Sequence, residues 1–421
     1  ENQWMKYELA KIENIKLAQV RFGKTVRKTP LQYNDRLSEL FQTNLWLKRE
    51  DLQEVRSFKI RGAYNKISSL NPKEQKKGVV CSSAGNHAQG VAKSCNLLKM
   101  NGVIFMPTIT PRQKIEQVNM FGGQYVEVIL EGDTYDDSHE AAKKYCAERD
   151  KTFIHPFDDP LVIEGQATLA YEILEQTEEK IDSIIVPIGG GGLISGVLSV
   201  FKQLSPETKV IGVEPLGAPS MSTSLEKNEI TTLDKIDPFV DGASVKKVGN
   251  ISFQLCQKYL DEILLIPEGK ICQSILNMYN KDAIVVEPAG AISVAALELH
   301  HEKFKNQNVI CLICGSNNDI SRMSEIKEKA LLYRNLKHYF LIKLPQRAGA
   351  LKEFLVDVLG PNDDITHFEY TKKHYKETGV AIVGIELKNG CDLDGLIERM
   401  KSLGFFSDYL NDKNDIRQIL I

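Results

Sequence analysis

Short apolar runs alternate with amphipathic segments from about residue 75 to residue 330, and this alternation restricts the fold more than any other feature of the chain. Runs such as Gly102–Met106 and Ser183–Ile188 are typical of buried strands, and Asn86–Lys99 and Glu164–Glu175 have helical periodicity. Alternation of this kind predicts an α/β fold, with helices on both faces of parallel sheets. Further strands are predicted at Gly78–Ser83, Tyr125–Ile129, Val210–Val213 and Val309–Ile313, and a further helix at Ala289–His300.

A different pattern begins near residue 335. The segments HYFLIKL, RAGALKEFLVDVL, ITHFEYTKK, GVAIVGIELK and DLDGLIERMKSLGF predict strand, helix, strand, strand and helix. This order indicates an α+β domain with the ferredoxin-like βαββαβ pattern. A chain of 421 residues is also longer than a single core usually supports. We therefore predict a domain at 1–330 and a second at 331–421, with a linking helix at Ser324–Leu332.

Composition narrows the possible partners and location. The net charge is −3, without blocks of like charge, which argues against nucleic-acid binding. No window reaches the roughly 18 apolar residues that a membrane helix needs, and the first residues, ENQWMKYELAKIENIK, do not resemble a secretory leader. The eight cysteines are scattered, mostly in apolar stretches, as expected for buried thiols in a reducing compartment. We expect a cytoplasmic protein that binds neither nucleic acid nor membranes.

Four consecutive glycines follow the predicted strand Ser183–Ile188, in the segment SIIVPIGGGGLISG. Glycines at such a junction let several backbone N–H groups approach one anion, and a helix beginning near Leu193 adds its dipole. No Gly-Lys-Ser/Thr of a P-loop follows, and Ser195 occupies the third glycine position of the dinucleotide fingerprint. A flexible linker fits poorly between a strand and a helix. The predicted phosphate-binding residues are Gly189, Gly190, Gly191, Gly192 and Leu193.

The segment CSSAGNHAQGVA, residues 81–92, is a second junction between a strand and a helix. Hydroxyls and backbone N–H groups at a helix start are suited to holding a carboxylate. Asn86 and His87 come next and could reach a second group of the same ligand. The alternative is structural, with Ser83 as a helix cap and Asn86 as a turn residue. The residues predicted to receive the carboxylate are Ser82, Ser83, Ala84 and Gly85.

Lys59 lies among apolar and small residues in the segment EVRSFKIRGAY. By itself, a lysine in such company is more often a surface residue with a buried stem. Burial would lower the pKa of its amine, and Arg56 and Arg61 would lower it further if both face it. Covalent capture of a carbonyl group requires such a neutral amine. A carbonyl-trapping lysine, a phosphate cup and a carboxylate-binding helix start together indicate pyridoxal 5′-phosphate and an amino-acid substrate.

Five motifs in this order, SFKIRGAY, SSAGNHAQG, GGGGLISG, VEPAGA and CGSNND, resemble those of the fold-type II pyridoxal-phosphate enzymes. Within these, the closest likeness is to the threonine dehydratases (threonine ammonia-lyases), and it covers roughly residues 5–330. The resemblance implies a catalytic domain of two subdomains, similar to the β subunit of tryptophan synthase. The small subdomain, roughly 45–155, would be inserted in the large one. The resemblance also implies a homo-oligomer, usually a tetramer.

The resemblance implies a role for each matching residue. Lys59 would bind the cofactor covalently and take the α-proton of the substrate, and Phe58 would lie beside the pyridine ring. Asn86 would hydrogen-bond the ring hydroxyl, the glycine loop would hold the phosphate, and the loop 82–85 would receive the substrate carboxylate. Cys314 stands where the family usually has a serine or threonine against the pyridine nitrogen. The contact to that nitrogen therefore departs from the family pattern.

Two glutamates allow two interpretations each. Glu287 in VEPAGA either faces the site or is a capping or structural carboxylate. Glu214, Ala218 and Ser220 match positions at which serine racemase and some other relatives bind a divalent cation. Those relatives carry an acid at the last position, where this chain has Ser220. We therefore assign no metal site and keep Glu214 and Ala218 as possible ligands.

The segments HYFLIKLPQRAGALKEFL (338–355) and LGPNDDITHFEYTKK (359–373) resemble the ACT-like regulatory domain of biosynthetic threonine dehydratases. Only one such unit fits in the residues available. The resemblance implies feedback inhibition by isoleucine, with valine opposing it; the alternative is a domain that only extends an oligomer interface. The effector would bind between the loop Arg347–Leu351 and the strand Ile365–Tyr370. Candidate effector-binding residues are Arg347, Gly349, Leu351, Phe354, Ile365 and Phe368.

The resemblance implies β-elimination of water from L-threonine, which yields 2-oxobutanoate and ammonia in the first committed step of isoleucine biosynthesis. Some turnover of serine is expected, because one methyl group contributes only about 1–3 kcal/mol of selectivity. A serine dehydratase or racemase on the same scaffold is the alternative enzyme. A non-catalytic amino-acid sensor is the more distant alternative, and it would require a broken cofactor site.

Overall fold

The computed structural model describes residues 6–370 and 378–413. The chain divides into two compact units, Glu1–Asn318 and Asp319–Ile421. The helix that we predicted as a linker extends over Met323–Tyr333 and is part of the second unit.

Strands and α-helices alternate along the first unit, as the sequence predicts, and the predicted elements have the observed ends to within a few residues. The strands are β1 (Leu31–Tyr33), β2 (Asn44–Arg49), β3 (Val79–Ser82), β4 (Gly102–Met106), β5 (Val126–Leu130), β6 (Thr152–Phe153), β7 (Ser183–Pro187), β8 (Lys209–Pro215), β9 (Glu262–Ile266) and β10 (Asn308–Ile313). The helices are α1 (Ile12–Phe22), α2 (Asp35–Phe41), α3 (Lys59–Ser68), α4 (Pro72–Lys77), α5 (Asn86–Leu98), α6 (Arg112–Gly122), α7 (Tyr135–Glu148), α8 (Pro160–Gln176), α9 (Gly192–Leu204), α10 (Ser220–Lys227), α11 (Asn250–Tyr259), α12 (Glu268–Asp282) and α13 (Pro288–Leu299).

The larger sheet of this unit has the strand order β1-β2-β10-β7-β8-β9. β1 is antiparallel to β2, and the other neighbouring pairs are parallel. Every residue of β7 is buried, which explains why its sequence is a continuous apolar run without polar alternation. The predicted α/β fold with parallel sheets is confirmed.

The smaller sheet of the first unit has the order β5-β4-β3-β6, and all its pairs are parallel. Its four strands are consecutive in the sequence. The chain therefore leaves the larger sheet after β2, builds the smaller sheet and returns to the larger sheet at β7.

The second unit begins with α14 (Met323–Tyr333) and then forms a four-stranded antiparallel sheet with helices in the predicted βαββαβ order. The sheet order β12-β13-β11-β14 is that of a ferredoxin-like domain, which confirms the prediction. These elements are β11 (Lys337–Pro345), α15 (Ala350–Glu353) with a following π-helical turn (Phe354–Val358), β12 (Asp364–Tyr370), β13 (Thr378–Glu386), α16 (Leu393–Ser402) and β14 (Phe406–Tyr409).

Among the described residues, none of the helices has the length and apolar character that crossing a membrane requires. The eight cysteines are unpaired thiols; seven are buried, and Cys391 is exposed. The interpretation of the cysteines as buried free thiols therefore holds for seven of the eight.

A buried ion network connects α3 with α8. Arg61 is fully buried; its Nε donates to Oε2 of Glu50 at 2.8 Å, and its Nη1 donates to Oε1 of Glu172 at 2.7 Å. Nζ of Lys48, also fully buried, donates to Oε2 of Glu172 at 2.8 Å. Burial alone would raise the pKa of Glu50, but the charge of Arg61 lowers that pKa below its ordinary value. Two cations and two carboxylates therefore compensate one another inside the protein.

We expect the substitution Glu172→Gln to lower the free energy of unfolding by about 3–5 kcal/mol, because it leaves Arg61 and Lys48 short of one buried negative charge. Urea denaturation followed by circular dichroism measures this. The control is Glu175→Gln on the same helix, whose ion pair with Lys28 is exposed; it should change stability by less than about 1 kcal/mol. Equal losses in both variants would contradict the expectation.

Candidate active site

One cleft of the first unit contains most of the residues predicted to bind the cofactor. The glycine loop follows β7 and Cys314 follows β10, and these neighbouring parallel strands have their carboxyl ends at the same edge of the sheet. The backbone N–H of Phe58 donates to the carbonyl of Cys314 at 3.1 Å, which brings the start of α3 to this edge. The lining residues are Phe58, Lys59, Phe157, Pro187, Gly189, Gly190, Gly191, Gly192, Leu193, Gly242, Ala243, Ala289 and Cys314.

Lys59 begins α3 and places its amine in this cleft. Nζ donates to the carbonyl of Pro156 at 2.9 Å. Removal from water lowers the pKa of the amine to about 8, although electrostatic interactions with Cys314 and Glu287 oppose the shift. A neutral amine is therefore accessible near physiological pH.

Arg56 and Arg61 would lower this pKa only if both faced Lys59, and neither does. Arg61 points into the ion network with Glu50 and Glu172, and Arg56 is exposed at the surface. The pKa of Lys59 falls mainly because its amine is removed from water, and no arginine contributes to the shift.

The glycine loop has a shape that larger residues would not permit. A Cβ added to Gly190 would lie 2.2 Å from the ring of Phe157, and Gly191 has a φ of +97° with Ser252 Cβ 2.3 Å from its added Cβ. The loop leads into α9, whose first backbone N–H groups have no acceptors within the helix. Oγ of Ser252 is buried and has no hydrogen-bond partner among the described residues. These donors make the loop suitable for a phosphate group.

The loop 82–85 joins β3 to the start of α5. The helix cap is Gly85, without a side-chain hydrogen bond, so Ser83 is not the helix cap that the structural alternative assumed. Instead, Oγ of Ser83 accepts from the backbone N–H of Gly85 at 3.2 Å, and Ala84 is half-buried. The buried Oγ of Ser82 has no partner among the described residues. The open helix start is compatible with carboxylate binding.

His87 is the second residue of α5, and its ring is hydrogen-bonded to the backbone of Ile154. Nε2 is 2.8 Å from the carbonyl oxygen of Ile154. Burial lowers the pKa of His87 to about 3, so the ring is neutral. The predicted substrate contact by His87 remains a prediction.

Glu287 contacts Asn86, one of the residues predicted to bind the cofactor. Its Oε1 accepts from Nδ2 of Asn86 at 2.6 Å, and its Oε2 accepts from the backbone N–H of Asn317 at 3.1 Å. Glu287 also occupies the cap position of α13, but its side chain makes no capping hydrogen bond. Burial, with a further contribution from Asp241, raises the pKa of Glu287 to about 7. The contact with Asn86 favours the interpretation in which Glu287 faces the site over the one in which it is a capping or structural carboxylate.

Cys314 lines the cleft with a buried thiol. Sγ donates to the carbonyl of Ala289 at 3.2 Å. Burial raises the pKa of this thiol well above its ordinary value, so the group is neutral.

Glu214 is placed differently from a typical metal ligand. Its two oxygens accept from the backbone N–H groups of Met221 and Ser222, at 2.7 and 2.9 Å, at the start of α10. Ser220 donates to the carbonyl of Val245, and Ala218 is buried nearby in the chain. Within the described residues, no group of three or more histidine, cysteine or acidic side chains could hold a metal ion.

The candidate effector residues lie in the second unit. Phe354 is fully buried and its ring packs against Phe405, with ring centroids 5.3 Å apart, so it belongs to the core and is not available to an effector. Phe368 on β12 is exposed and remains a candidate. The other candidates are Arg347, which pairs with Glu353, Gly349 at the start of α15, the exposed Leu351 and the half-buried Ile365.

Several residues of the site were not predicted. Phe157 packs on the glycine loop, and the carbonyl of Pro156 accepts from Lys59. Both lie in the segment HPFDD, residues 155–159, which carries no recognisable motif. Ser252 and Gly242 have no local signal either. Asn317 belongs to the quoted CGSNND motif, but its spacing alone does not indicate that it contacts Asn86.

Comparisons with known proteins show the family of the chain. Residues 23–315 match the family model described as pyridoxal-phosphate dependent enzyme, and residues 328–420 match the C-terminal regulatory domain of threonine dehydratase. The biosynthetic L-threonine dehydratase IlvA of Halalkalibacterium halodurans is 55% identical, over 97% of this chain and 99% of its own length. The chain belongs to the biosynthetic threonine dehydratases.

Solved structures of this family and of a related one share the fold. The processed form of threonine deaminase isoform 2 from Solanum lycopersicum has a TM-score of 0.71 and 37% identity; the match covers 78% of this chain and 98% of that one. Maize serine racemase has a TM-score of 0.71 and 31% identity, covering 77% of this chain and 99% of that one.

The cofactor of this family is pyridoxal phosphate, and the residues of the cleft fit it. The glycine loop supplies backbone donors and a helix dipole to a phosphate, without side chains in the way. Lys59 supplies an amine for covalent attachment, and the ring of Phe58 supplies an apolar surface. Asn86 and Cys314 supply neutral polar groups.

The pKa of Lys59 predicts how the cofactor-free protein reacts with pyridoxal 5′-phosphate. Only the neutral amine attacks a carbonyl group, so the rate of covalent attachment should rise about tenfold per pH unit below the pKa and level off above pH 8. Stopped-flow absorbance between pH 6 and 10 measures this rate. Nα-acetyl-lysine is the control, and its rate should level off only above about pH 10. If the attachment rate of the protein also levels off only above about pH 10, the lowered pKa of Lys59 is contradicted.

Proposed function

We propose that the chain converts L-threonine to 2-oxobutanoate and ammonia, as the first committed step of isoleucine biosynthesis, in the cytoplasm and as a homotetramer. The observation that carries the proposal is the shared cleft of Lys59, the glycine loop and Cys314 in a chain 55% identical to a biosynthetic L-threonine dehydratase. Asn86, the residue expected to contact the ring hydroxyl of the cofactor, is held by a hydrogen bond to Glu287.

The side chains of the cleft suit the elimination of water. When bound, pyridoxal phosphate withdraws electrons from the α-carbon of the attached amino acid. The neutral amine of Lys59 takes the α-proton, a general-base contribution of about 10²–10⁴-fold. The loop 82–85 and the start of α5 hold the carboxylate, so that the α-carbon faces Lys59. The β-hydroxyl takes up one proton, which balances the proton taken by Lys59, and leaves as water. The resulting enamino acid tautomerises to an imino acid, and its hydrolysis releases ammonia and 2-oxobutanoate.

The thiol of Cys314 is consistent with this reaction. Its raised pKa keeps it neutral, so it does not hold a positive charge on a pyridine nitrogen beside it. A neutral partner favours elimination over reactions that depend on a strongly electron-withdrawing ring.

A serine dehydratase or racemase is the second candidate, because the structure of maize serine racemase matches 77% of this chain with 31% identity. The ratio of threonine to serine turnover, with the chirality of recovered serine, separates the two. The sensor alternative is weaker, because Lys59 and the glycine loop are intact.

We expect Lys59→Ala to abolish 2-oxobutanoate formation from L-threonine, because both the covalent attachment point and the base are lost. Product is measured by its hydrazone absorbance, and the visible band of bound cofactor should disappear as well. The control is Lys66→Ala on the same helix, which removes an ion pair with Asp159 and should retain turnover. Turnover of threonine by the Lys59→Ala variant would refute the scheme.

We further propose that isoleucine binds the second unit and inhibits the enzyme, and that valine opposes it. Support comes from the match of residues 328–420 to a threonine dehydratase regulatory domain. Exposed Leu351 and Phe368 offer apolar surface to an aliphatic side chain, and Arg347 offers a cation to the carboxylate. Inhibition requires two states of the enzyme with different affinities for isoleucine.

Isoleucine should lower threonine turnover in a saturable manner, and valine should shift the curve to higher isoleucine concentrations. Phe368→Ala should raise the half-inhibitory concentration severalfold without changing turnover in the absence of isoleucine. The control, Val356→Ala, replaces another exposed apolar residue of the same unit and should leave inhibition unchanged. A flat isoleucine titration would favour the alternative that the unit only extends an interface.

A further inference from the structure

Three side chains form a closed hydrogen-bonded cluster beside the cleft. Nδ2 of Asn86 donates to Oε1 of Glu287 at 2.6 Å, and Nδ2 of Asn317 donates to Oδ1 of Asn86 at 2.6 Å. The backbone N–H of Asn317 donates to Oε2 of Glu287 at 3.1 Å. Nδ2 of Asn86 also lies 3.9 Å from the position of a Cβ added to Gly242, a residue of the cleft wall. The cluster therefore reaches the cofactor-binding cleft.

The contacts leave the Asn86 amide one orientation. Oε1 of Glu287 accepts from the NH₂ side of Asn86, and in its ionised form the carboxylate can only accept. Nδ2 of Asn317 donates to the carbonyl of Val55 as well as to Asn86, so both of its hydrogens are used. A reversed Asn86 would place its carbonyl oxygen against Glu287 and its NH₂ group against that of Asn317. One N–H of Asn86 is left for a ligand.

Glu287 is itself held in place. It is buried at the start of α13, and a Cβ added to Gly315 would lie 2.4 Å from Oε1. The charged and titratable groups around it are Asp241, Lys114, Lys59 and Cys314. Lys114 pairs with Asp241 at 3.0 Å, so these two largely offset each other. Burying a carboxylate is costly unless it is paired or hydrogen-bonded.

We propose that Glu287 is a positioning residue that fixes the amide of Asn86, so that Asn86 presents an N–H, and not its carbonyl oxygen, to the ring hydroxyl oxygen of pyridoxal phosphate. Asn86 touches the cofactor and Glu287 acts through it. The proposal depends on the cofactor and not on the identity of the amino-acid substrate.

The test measures the binding of pyridoxal 5′-phosphate to the full-length, cofactor-free protein by visible absorbance and equilibrium titration. Glu287→Gln has nearly the same shape, but the backbone N–H of Asn317 keeps its amide oxygen at the position of Oε2. Its NH₂ group therefore faces the NH₂ group of Asn86 and opposes the native orientation of that amide. We expect the dissociation constant to rise about tenfold, at the upper end of what the loss of one hydrogen bond, here from Asn86 to the cofactor, contributes. The pH dependence of the cofactor band should shift as well.

Glu164→Gln is the matched control. Glu164 is also a mostly buried glutamate on a helix, and it accepts from an asparagine, Asn14, at 2.8 Å, but it does not line the cleft. This variant should leave the dissociation constant within twofold of the parent. Thermal unfolding of the cofactor-free proteins shows what each loss costs in stability, separately from cofactor binding.

A double-mutant cycle distinguishes a positioning role from a merely structural one. In an Asn86→Ala background, Glu287→Gln should change the dissociation constant by less than twofold, because Glu287 no longer has an amide to orient. An unchanged dissociation constant in the single variant, or the same tenfold loss in the Asn86→Ala background, would overturn the proposal. Should Glu287→Gln not fold, Glu287→Asp draws the carboxylate back from the Asn86 amide and is put through the same cycle, with the same two outcomes deciding.

Discussion

A short backbone contact between distant parts of the chain determines where the site forms. The N–H of Phe58 donates to the carbonyl of Cys314, and Ser57 forms an isolated bridge with Gly315. This contact places the start of α3 at the carboxyl end of β10, next to the glycine loop that follows β7. The ion network of Arg61 holds the same helix from its other side. Lys59 therefore enters the cleft because its backbone is restrained in two directions.

Buried carboxylates are used in two different ways in the first unit. Glu50 and Glu172 face buried cations, and the pairing compensates charges that would otherwise be costly in the interior. Glu287 is held by neutral donors, Asn86 and the backbone of Asn317, and its pKa rises to about 7. The first arrangement ties helices together, and the second holds a polar group beside the cleft. The raised pKa of Glu287 reflects this weaker compensation.

A feature could be predicted from the sequence where its signal lies in neighbouring residues, and not where it depends on residues far apart in the chain. Continuous apolar runs such as β7 and the glycines after it are local signals, so the parallel sheet and the phosphate cup could be predicted. The direction of Arg61 could not, because it depends on Glu172, which lies on another helix. The same is true of Phe157, which is beside Gly190 only after folding. Phe354 was misplaced because an apolar residue suits a core and a ligand pocket equally.

The segment 155–158 shows why the site cannot be divided into independent parts. The carbonyl of Pro156 accepts from Lys59, the ring of Phe157 packs on Gly190, and the carboxylate of Asp158 accepts from the first backbone N–H groups of α11. Nδ1 of His155 accepts from the N–H groups of Phe157 and Asp158, which fixes the turn between these contacts. The segment begins two residues after the end of β6 of the smaller sheet. A displacement of the smaller sheet would therefore be transmitted to the amine and to the phosphate cup together.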